Sequence, residues 1–399
     1  MENKNIATER RSVPQLRFPE FDGEWKEQRL EKVFAEFKSG QNITAKNISD
    51  DDIYPVYGGN GLRGYTNSYT HEGFYLLIGR QGALCGNINR ANGKTFISEH
   101  AIACKSNENS DTEWLAQRLD YLNLNRLSES SAQPGLSVNK LLRLKLYIPT
   151  LQEQKKIADF LTTVDSKLQA LKKKKSLLEA YKKGVMQKIF SQELRFKQDA
   201  STSLSTGDGS EFADWEVRKL GEFFIERNVK APKNDQYPLM AFVANKGVTP
   251  KGERYNREFL VNDGDSKKYK QTKFGDFIYS SNNLLTGSIG LNRYGSASIS
   301  PVYSIFQIGE LCNYQFISSY LTRRSFLNKM IRYRQGVVYG QWRIHETEFL
   351  KIKEKIPCIE EQTKIANFLT AIDNKITQAE SQITHTEQYK KGLLQKMFV

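Results

Sequence analysis

Residues 153–190 read EQKKIADFLTTVDSKLQALKKKKSLLEAYKKGVMQKIF, and residues 361–398 read EQTKIANFLTAIDNKITQAESQITHTEQYKKGLLQKMF. The two stretches align without a gap, and 18 of their 38 positions are identical. The similarity extends upstream, where Ile148-Pro149 matches Ile356-Pro357. An internal repeat of this length indicates two copies of one unit, each a globular segment followed by the repeated stretch.

Each repeated stretch predicts one long helix, because apolar residues recur at alternating spacings of three and four, the period of a coiled coil. Thr150 and Glu153 fit a capping box at the first helix start, whereas Cys358 replaces the threonine in the second copy and predicts a weaker cap. At about 1.5 Å per residue each helix is a rod of roughly 57 Å. Two equal rods with one apolar seam each favour antiparallel packing on each other, and parallel pairing with another chain is the alternative. The seam positions are Ile157, Leu161, Val164, Leu168, Leu171, Leu178, Val185 and Ile189, and Ile365, Leu369, Ile372, Ile376, Ala379, Ile383, Leu393 and Met397.

Lys175, Lys182 and Lys390 interrupt this seam, which is tolerated if their charged heads reach water or acidic groups. The run Lys172–Lys175 is compatible with DNA contact, but we favour a solvated face or a docking surface for an acidic partner. We expect the outward faces of the helices to bind partner proteins. The residues that we assign to this partner-subunit interface are Phe160, Lys172, Lys173, Tyr181, Phe368 and Tyr389.

A short motif predicts a circular organisation of the chain. Leu194-Arg195-Phe196 follows the first helix and precedes the polar stretch DASTSLSTGDGSEFAD, which is typical of a flexible linker. Leu16-Arg17-Phe18 stands near the amino terminus, also shortly before a Phe and a Trp. The end of the second helix, if joined to residue 13, would therefore continue as the first helix does, which predicts a pseudo-twofold arrangement.

Composition restricts the class of protein. The 399 residues suffice for two domains, and 59 Lys and Arg against 45 Asp and Glu give a net charge of +14, which favours a polyanionic partner. The sequence contains no apolar run of about 18 residues and no signal peptide behind Met1, so we expect a soluble, cytoplasmic protein without membrane contact. Cys85, Cys104, Cys312 and Cys358 are scattered, which predicts reduced structural thiols and no metal site.

The segments 20–150 and 212–357 are rich in Tyr, Phe, Gly and Asn and contain short apolar runs, which predict mostly short strands. Helices are expected near Thr112–Leu127 and Tyr314–Tyr333. The fold class is therefore α+β. Outside the shared landmarks the two segments diverge, which suits two domains of one fold that bind different ligands.

Several motifs together resemble the specificity subunit of type I restriction-modification systems. They are YPVYGGNGLRGY at 54–65, FYLLIGRQGALCGNI at 74–88, SAQPGLSVNKL at 131–141 and IPTLQEQKKIADFLTTVD from Ile148, with QGVVYGQWRI at 335–344 as a looser counterpart of the third. The resemblance covers nearly the whole chain. It implies two target-recognition domains joined by an antiparallel coiled coil of two long helices. It also implies a bipartite target in double-stranded DNA and docking of two modification subunits, with restriction subunits completing the complex.

The predicted domain boundaries combine the repeat with this resemblance. Residues 1–12 form a flexible tail, 13–150 the first target-recognition domain, 151–190 the central spacer helix, 191–211 the linker, 212–357 the second target-recognition domain, and 358–399 the carboxy-terminal spacer helix.

The sequence offers little for catalysis. Gly59, Gly61 and Gly64 match a dinucleotide-binding fingerprint, but Tyr65-Thr66-Asn67 follows where a helix should begin. Asp22, Glu24 and Lys26, and likewise Asp263, Asp265 and Lys267, imitate a nuclease triad with spacings that arise by chance. Neither an Asn-Pro-Pro-aromatic methyltransferase motif nor a phosphate-binding loop occurs. We therefore expect a non-catalytic chain without cofactors, with S-adenosylmethionine, ATP and magnesium bound by the partner subunits that the resemblance implies.

Polar and basic side chains beside glycine turns are the candidates for DNA contact, because Arg, Gln and Asn pair bidentately with guanine and adenine edges. Lys267 and Lys268 are candidates for phosphate contact. The full set is Asn60, Arg63, Arg80, Gln81, Gln133, Lys267, Lys268, Asn282, Asn283, Arg332, Arg334, Gln335, Tyr339, Gln341 and Arg343. Two alternatives remain open at this point: a structural coiled-coil adaptor that binds DNA non-specifically, and a self-sufficient restriction or methyltransferase enzyme.

Overall fold

The computed structural model describes residues 12–128, 134–198, 211–244, 246–251, 267–338 and 341–399. The chain divides into two compact units, one formed by the residues up to 174 with 379–399 and the other by 175–378. Two long helices, α3 (Leu151–Phe190) and α7 (Ile359–Met397), contribute one part to each unit.

The first unit is built on two four-stranded sheets. The strands are β1 (Lys26–Arg29), β2 (Phe34–Ser39), β3 (Tyr54–Gly58), β4 (Gly61–Thr66), β5 (His71–Glu72), β6 (Tyr75–Gly79), β7 (Ile88–Ala91), β8 (Lys94–Ile97), β9 (Ala101–Ser106) and β10 (Lys145–Ile148). The first sheet has the order β2-β9-β6-β7, and the second has the order β4-β3-β8-β5, in which β3 and β8 run parallel. β1 pairs antiparallel with β10 beside the start of α3.

Two short helices complete the first unit, α1 (Thr112–Leu122) and α2 (Val138–Leu142). The carboxylate of Asp111 caps α1 by accepting a hydrogen bond from Trp114 N–H at 2.7 Å. Trp114 is fully buried and packs edge-to-face on Trp25. The apolar core therefore joins the first sheet, α1 and the long helices into one cluster.

The second unit repeats this topology. The strands are β11 (Glu216–Lys219), β12 (Phe224–Glu226), β13 (Lys230–Ala231), β14 (Met240–Val243), β15 (Gly247–Pro250), β16 (Tyr269–Thr272), β17 (Phe277–Tyr279), β18 (Ile289–Leu291), β19 (Ala297–Ile299), β20 (Ser304–Ile308), β21 (Gln335–Val338), β22 (Gln341–Arg343) and β23 (Lys353–Ile356). The main sheet has the order β12-β20-β17-β18, and β13-β16-β19 forms a second sheet. The hairpin β14-β15 joins the second sheet through a parallel bridge between Leu239 and Ser298. β11 pairs with β23 as β1 does with β10.

Three short helices complete the second unit, α4 (Tyr314–Leu321), α5 (Arg324–Ile331) and α6 (Glu346–Lys351). A group of aromatic rings fills the core beneath the main sheet, with Phe306 and Phe349 at 4.6 Å between ring centroids. The predicted α+β class and the predicted pair of long helices are thus confirmed, and the expected helix at Tyr314–Tyr333 is two helices.

The seam between α3 and α7 is antiparallel in each unit. In the first unit Ile157, Leu161 and Val164 of α3 share a core with Leu393 and Met397 near the end of α7. In the second unit Val185 and Ile189, near the end of α3, share a core with Ile365 and Leu369. The central seam position Leu178 is only partly buried.

Two of the three lysines that interrupt the seam, Lys182 and Lys390, are matched by acidic groups on the opposite helix. Lys390 lies 2.6 Å from Asp165 in the first unit, and Lys182 lies 2.5 Å from Asp373 in the second. These pairs occupy equivalent positions in the repeat, while Lys175 pairs along its own helix with Glu179 at 3.6 Å. The paired charges favour the antiparallel register, because a shift of one helix would separate both pairs.

A buried carboxylate at the start of each long helix holds the globular part of its unit. Glu153 is fully buried and accepts hydrogen bonds from Arg17 Nε and Nη2 at 2.8 and 2.7 Å and from Trp25 Nε1 at 3.3 Å. The hydrogen bond to Glu153 raises the pKa of Arg17. The predicted cap is present in part, since Thr150 Oγ1 accepts from Glu153 N–H at 3.4 Å.

The second unit repeats this arrangement with the same three residue types, although the tryptophan donates to the other carboxylate oxygen. Glu361 accepts from Arg195 Nε and Nη2 at 3.2 and 2.9 Å and from Trp215 Nε1 at 3.1 Å. We call these two groups, Arg17-Trp25-Glu153 and Arg195-Trp215-Glu361, the carboxylate clamps.

The neighbouring glutamines add a second attachment. Gln154 accepts from Asp111 N–H at 2.8 Å and donates to Pro149 O at 2.9 Å. Gln362 makes the equivalent bonds to Asn313 N–H and Pro357 O, both at 2.9 Å. The repeated Glu-Gln pair thus fixes each long helix to the start of α1 or α4.

The Leu-Arg-Phe motif joins the end of one helix to the start of the other. Leu16 N–H donates to Lys396 O at 2.9 Å in the first unit, and Leu194 N–H donates to Lys188 O at 3.0 Å in the second. The adjacent Phe18 packs on Phe160. The predicted circular arrangement is therefore seen in the contacts within each unit.

The described residues contain no helix long and apolar enough to cross a membrane. Cys85, Cys104 and Cys312 are buried and Cys358 is exposed, and all four are free thiols. Burial raises the pKa of the Cys312 thiol to about 12.

Substitution of Glu153 by Gln tests the first carboxylate clamp. The change removes a charge that balances Arg17 in a mostly buried site, so we expect the first unit to lose about 2–3 kcal/mol of unfolding free energy. Urea denaturation of the purified chain measures this loss. Glu361→Gln should have the same effect on the second unit.

The matched control is Glu20→Gln. Glu20 pairs with Lys156 at 3.2 Å, but both side chains are about half exposed, so this change should leave unfolding unaltered. Equal effects of Glu153→Gln and Glu20→Gln would contradict the structural role of the clamp.

Candidate nucleic-acid interface

In the first unit, the loop after β6 is held from both sides by backbone hydrogen bonds. Arg80 N–H donates to His100 O at 2.9 Å, and Arg80 O accepts from Leu136 N–H at 3.0 Å. Gln81 forms an isolated bridge with Gly135. The backbone is thereby fixed, while Arg80 is half-buried and Gln81 is exposed.

The β3–β4 turn packs against the same loop. A Cβ atom at Gly59 would lie 2.8 Å from His100 O and 3.3 Å from Gly79 Cα, so only glycine permits this approach. Asn60 is exposed at the tip of the turn, and the exposed Arg63 runs beside Gly58. We call Asn60, Arg63, Arg80 and Gln81 the first polar surface.

The other motifs singled out in the sequence either have structural explanations or lie outside the described residues. Gly59, Gly61 and Gly64 serve an antiparallel hairpin and not a strand-to-helix turn, so the dinucleotide fingerprint is a coincidence. The backbone O of Asp22 accepts from Arg17 Nη2 at 2.8 Å next to the first carboxylate clamp. Gln133, Asp263 and Asp265 lie outside the described residues.

In the second unit, the loop after β17 is held at Ser281. Arg334 Nη2 donates to Ser281 O at 2.8 Å, and Ile344 N–H donates to Ser281 Oγ at 3.0 Å. The next two residues, Asn282 and Asn283, are exposed. Arg334, predicted to read bases, is half-buried and uses its guanidinium to hold this loop.

The hairpin β21–β22 brings further candidates to this loop. Gln335 begins β21 and pairs with Arg343 at the end of β22, and Arg332 is exposed just after α5. Tyr339 and the side chain of Gln341 lie outside the described residues. We call Asn282, Asn283, Arg332, Gln335 and Arg343 the second polar surface.

A buried charge network lies under the second polar surface. Glu346 accepts from Ser304 Oγ at 2.8 Å, and its carboxylate is 3.7 Å from Lys270 Nζ and 3.8 Å from Arg343 Nη2. Burial opposes ionisation of Glu346, yet hydrogen bonds from its own backbone and from Ser304 leave its pKa below the ordinary value. Burial also lowers the pKa of Lys270, which Glu346 partly offsets.

Lys267 and Lys268 are exposed but belong to a different part of the second unit. Lys267 Nζ lies 5.8 Å from the ring centre of Tyr269 and lines a pocket with Phe242 and Tyr303. Both precede β16 of the second sheet, whereas the loop at Ser281 follows β17 of the main sheet.

The two polar surfaces occupy equivalent places in the repeated fold. Arg80-Gln81 follows β6 and Asn282-Asn283 follows β17, the third strands of the two main sheets. Each loop contacts the segment just before a short helix, α2 or α6. The frame is therefore shared, and the side chains that it displays differ.

The residues predicted for the partner-subunit interface divide into two groups. Tyr181 and Tyr389 occupy equivalent positions and are 51% and 56% exposed, and Lys173 is also exposed. Lys172 pairs with Glu387 at 2.8 Å. Phe160 and Phe368 are not the exposed residues expected, because they are partly buried and pack on Phe18 and Phe196 at 5.7 and 5.6 Å.

The sequence analysis missed Trp342, which is 46% exposed between Gln341 and Arg343. The sequence feature that could have indicated it is a tryptophan in the glycine-containing stretch QGVVYGQWRI, which shows no helical spacing of apolar residues. It also missed the loop-holding role of Asn125, whose Nδ2 donates to Cys85 O at 2.9 Å.

Within the described residues, no group of three or more His, Cys, Asp or Glu side chains could hold a metal ion. The exposed groups that the two surfaces display are amide, guanidinium and indole groups. Such groups recognise hydrogen-bonding edges, anions and apolar faces.

Curated relatives resemble parts of the chain. The specificity subunit of the type I restriction enzyme EcoprrI from Escherichia coli is 41% identical over 155 residues, which are 38% of this chain and 38% of that protein. The specificity subunit of the type I restriction enzyme MjaVIII from Methanocaldococcus jannaschii is 26% identical over 274 residues, 63% of this chain and 60% of that protein. The matches thus span less than two thirds of either relative's length.

The crystal structure of the type I restriction-modification system S subunit from M. genitalium has the same fold, with a TM-score of 0.65 at 16% identity over 97% of this chain and 99% of that chain. The family described as "Type I restriction modification DNA specificity domain" matches residues 22–180 and 213–385. These findings confirm the resemblance seen in the sequence. The chain belongs to the type I restriction-modification DNA specificity domain family and contains two copies of its domain.

Proposed function

We propose that this chain is the sequence-specific DNA-recognition subunit of a type I restriction-modification complex. Each unit reads one half of a bipartite target in double-stranded DNA, the first with the first polar surface and the second with the second polar surface. The long helices set the gap between the half-sites and dock two modification subunits. Restriction subunits join the complex through these partners.

One observation supports the proposal most directly: the same fold, repeated in both units, places polar side chains in the loop after the third strand of each main sheet, and these side chains differ between the units. Backbone hydrogen bonds at Arg80 hold the loop in the first unit. In the second unit, hydrogen bonds from Arg334 Nη2 to Ser281 O and from Ile344 N–H to Ser281 Oγ hold the equivalent loop. Arg and Gln in the first loop and two Asn in the second have donor and acceptor patterns suited to guanine and adenine edges. Two copies of one frame with different readers suit an asymmetric target.

The net charge of +14 supports binding to the phosphate backbone. Lys267 and Lys268 are the proposed phosphate contacts in the second unit, since both are exposed. Such contacts fix position and add affinity without adding sequence preference.

The chain itself is proposed to be non-catalytic and to act in the cytoplasm. Adenine-N6 methylation with S-adenosylmethionine belongs to the modification subunits, and cleavage with ATP and magnesium belongs to the restriction subunits. Tyr181 and Tyr389 are the proposed docking residues on the helices, together with Lys172 and Lys173, because both tyrosines expose a large aromatic ring at equivalent positions.

Co-expression of the chain with its modification subunit, followed by single-molecule sequencing of methylated adenines, tests the proposal. We expect one bipartite motif with a fixed gap. A stable complex that binds DNA but methylates no defined motif would contradict it and favour a non-specific adaptor.

Arg80→Ala tests the assignment of one reader. Loss of a bidentate contact should relax one base position in one half-site and weaken binding to the target by about 1–3 kcal/mol, while the other half-site and the gap stay unchanged. Methylation mapping and fluorescence anisotropy measure the two effects.

Arg29→Ala is the matched control, because it removes the same charge from an exposed site on β1 that pairs only loosely with Glu31 at 3.6 Å. It should leave the motif unchanged. An unchanged motif in Arg80→Ala as well would remove Arg80 from the set of readers.

Insertion of one heptad into each long helix, after Lys174 and after Gln378, tests the role of the helices as a spacer. Seven residues preserve the seam and add about 10 Å, which corresponds to about three base pairs along a duplex. Methylation mapping should show both half-sites unchanged with a longer gap. A longer chain with the original gap would show that the helices do not set it.

A further inference from the structure

The four tryptophans of the chain differ sharply in exposure. Trp25, Trp114 and Trp215 are 2%, 0% and 6% exposed and belong to the two cores, where Trp25 and Trp215 also serve the carboxylate clamps. Trp342 is 46% exposed and stands on β22, opposite Val337 in the hairpin. Its indole contributes less to folding than a buried one and is accessible to a ligand.

The hairpin that carries Trp342 is polar and positively charged. Arg343 follows Trp342 in β22 with a side chain that is 64% exposed, and it lies with its partner Gln335 on the opposite face of the hairpin, because successive strand residues point to opposite faces. Arg332, shortly before β21, is also exposed. Arg343 is directed by Glu346, which is itself held by Ser304. Trp342 is therefore an exposed apolar group next to the second polar surface, a setting that suits a polyanion with apolar faces better than an apolar partner protein.

We propose that Trp342 makes an apolar contact of the second unit with DNA, packing its exposed part against the apolar groups of the groove, namely the deoxyribose faces and the thymine 5-methyl groups. This inference rests on the proposed function and extends it to a residue that contributes to specificity. Trp342 is 46% exposed, so part of the residue is covered by protein. A partly covered ring reaches the groove surface without full insertion between base pairs.

We expect Trp342→Ala, in the complex with the modification subunit, to weaken binding to a duplex that contains the bipartite target roughly tenfold. This is the affinity change expected for losing part of a large aromatic contact. On a duplex with a scrambled second half-site, the affinities of Trp342→Ala and of the unaltered chain should differ less than about twofold. Trp342→Phe should retain part of the affinity. Fluorescence anisotropy with labelled duplexes measures all three.

Tyr294→Ala is the matched control. Tyr294 is 49% exposed but follows β18 at the end of that strand away from the loop at Ser281, so its loss should not affect binding. Replacing single thymines of the second half-site by deoxyuridine separates the two sources of contact. If one such replacement weakens binding of the unaltered chain but not of Trp342→Ala, Trp342 contacts that thymine methyl group. If no replacement weakens binding of the unaltered chain, Trp342 contacts the deoxyribose.

Two results keep this inference separate from the proposed function. If the unaltered complex recognises its bipartite target and Trp342→Ala binds it within twofold of the unaltered chain, the inference fails and the function stands. If the unaltered complex shows no sequence preference, the proposed function itself fails. Circular dichroism of each variant checks that the hairpin substitution leaves the fold intact.

Discussion

The architecture depends on one buried interaction, the carboxylate clamp at the start of each long helix. Glu153 and Glu361 are almost completely buried, and each accepts hydrogen bonds from an arginine and a tryptophan of its own unit. A buried carboxylate is tolerated only when it is paired and hydrogen-bonded, so each clamp fixes the partners that it needs. In both units, the clamp thereby holds together the start of the long helix, the Leu-Arg-Phe motif and the tryptophan just before the first strand.

The clamps permit variation elsewhere. With the helix start attached by Glu153 and Gln154, and the sheet order repeated, the loops after β6 and β17 can carry different side chains on the same backbone frame. Specificity can then change without loss of the core, because most of the displayed residues are exposed. The loop after β6 is held by backbone hydrogen bonds at Arg80. The loop after β17 is held at Ser281 through the side chains of Arg334 and of Ser281 itself.

The sequence predicted what depends on period and repetition. The seam spacing predicted α3 and α7. The two Leu-Arg-Phe motifs predicted the circular arrangement, in which Leu16 contacts the end of α7 and Leu194 the end of α3. It could not predict interactions set by tertiary packing. The capping-box pattern assigned Glu153 a local partner, whereas its carboxylate binds groups 128 and 136 residues away. Likewise, nothing local indicated that Phe160 is covered by Phe18, that Arg334 faces inward, or that Trp342 remains exposed.

The central claim is that each unit reads its own half of the target. Hydrogen-deuterium exchange of the complex, measured on duplexes in which one half-site at a time is scrambled, tests it most directly. The account predicts that scrambling one half-site removes protection from one loop only, either the residues around Arg80 or those around Asn282, and that scrambling the other half-site affects the other loop. Equal protection of both loops on every duplex would contradict it.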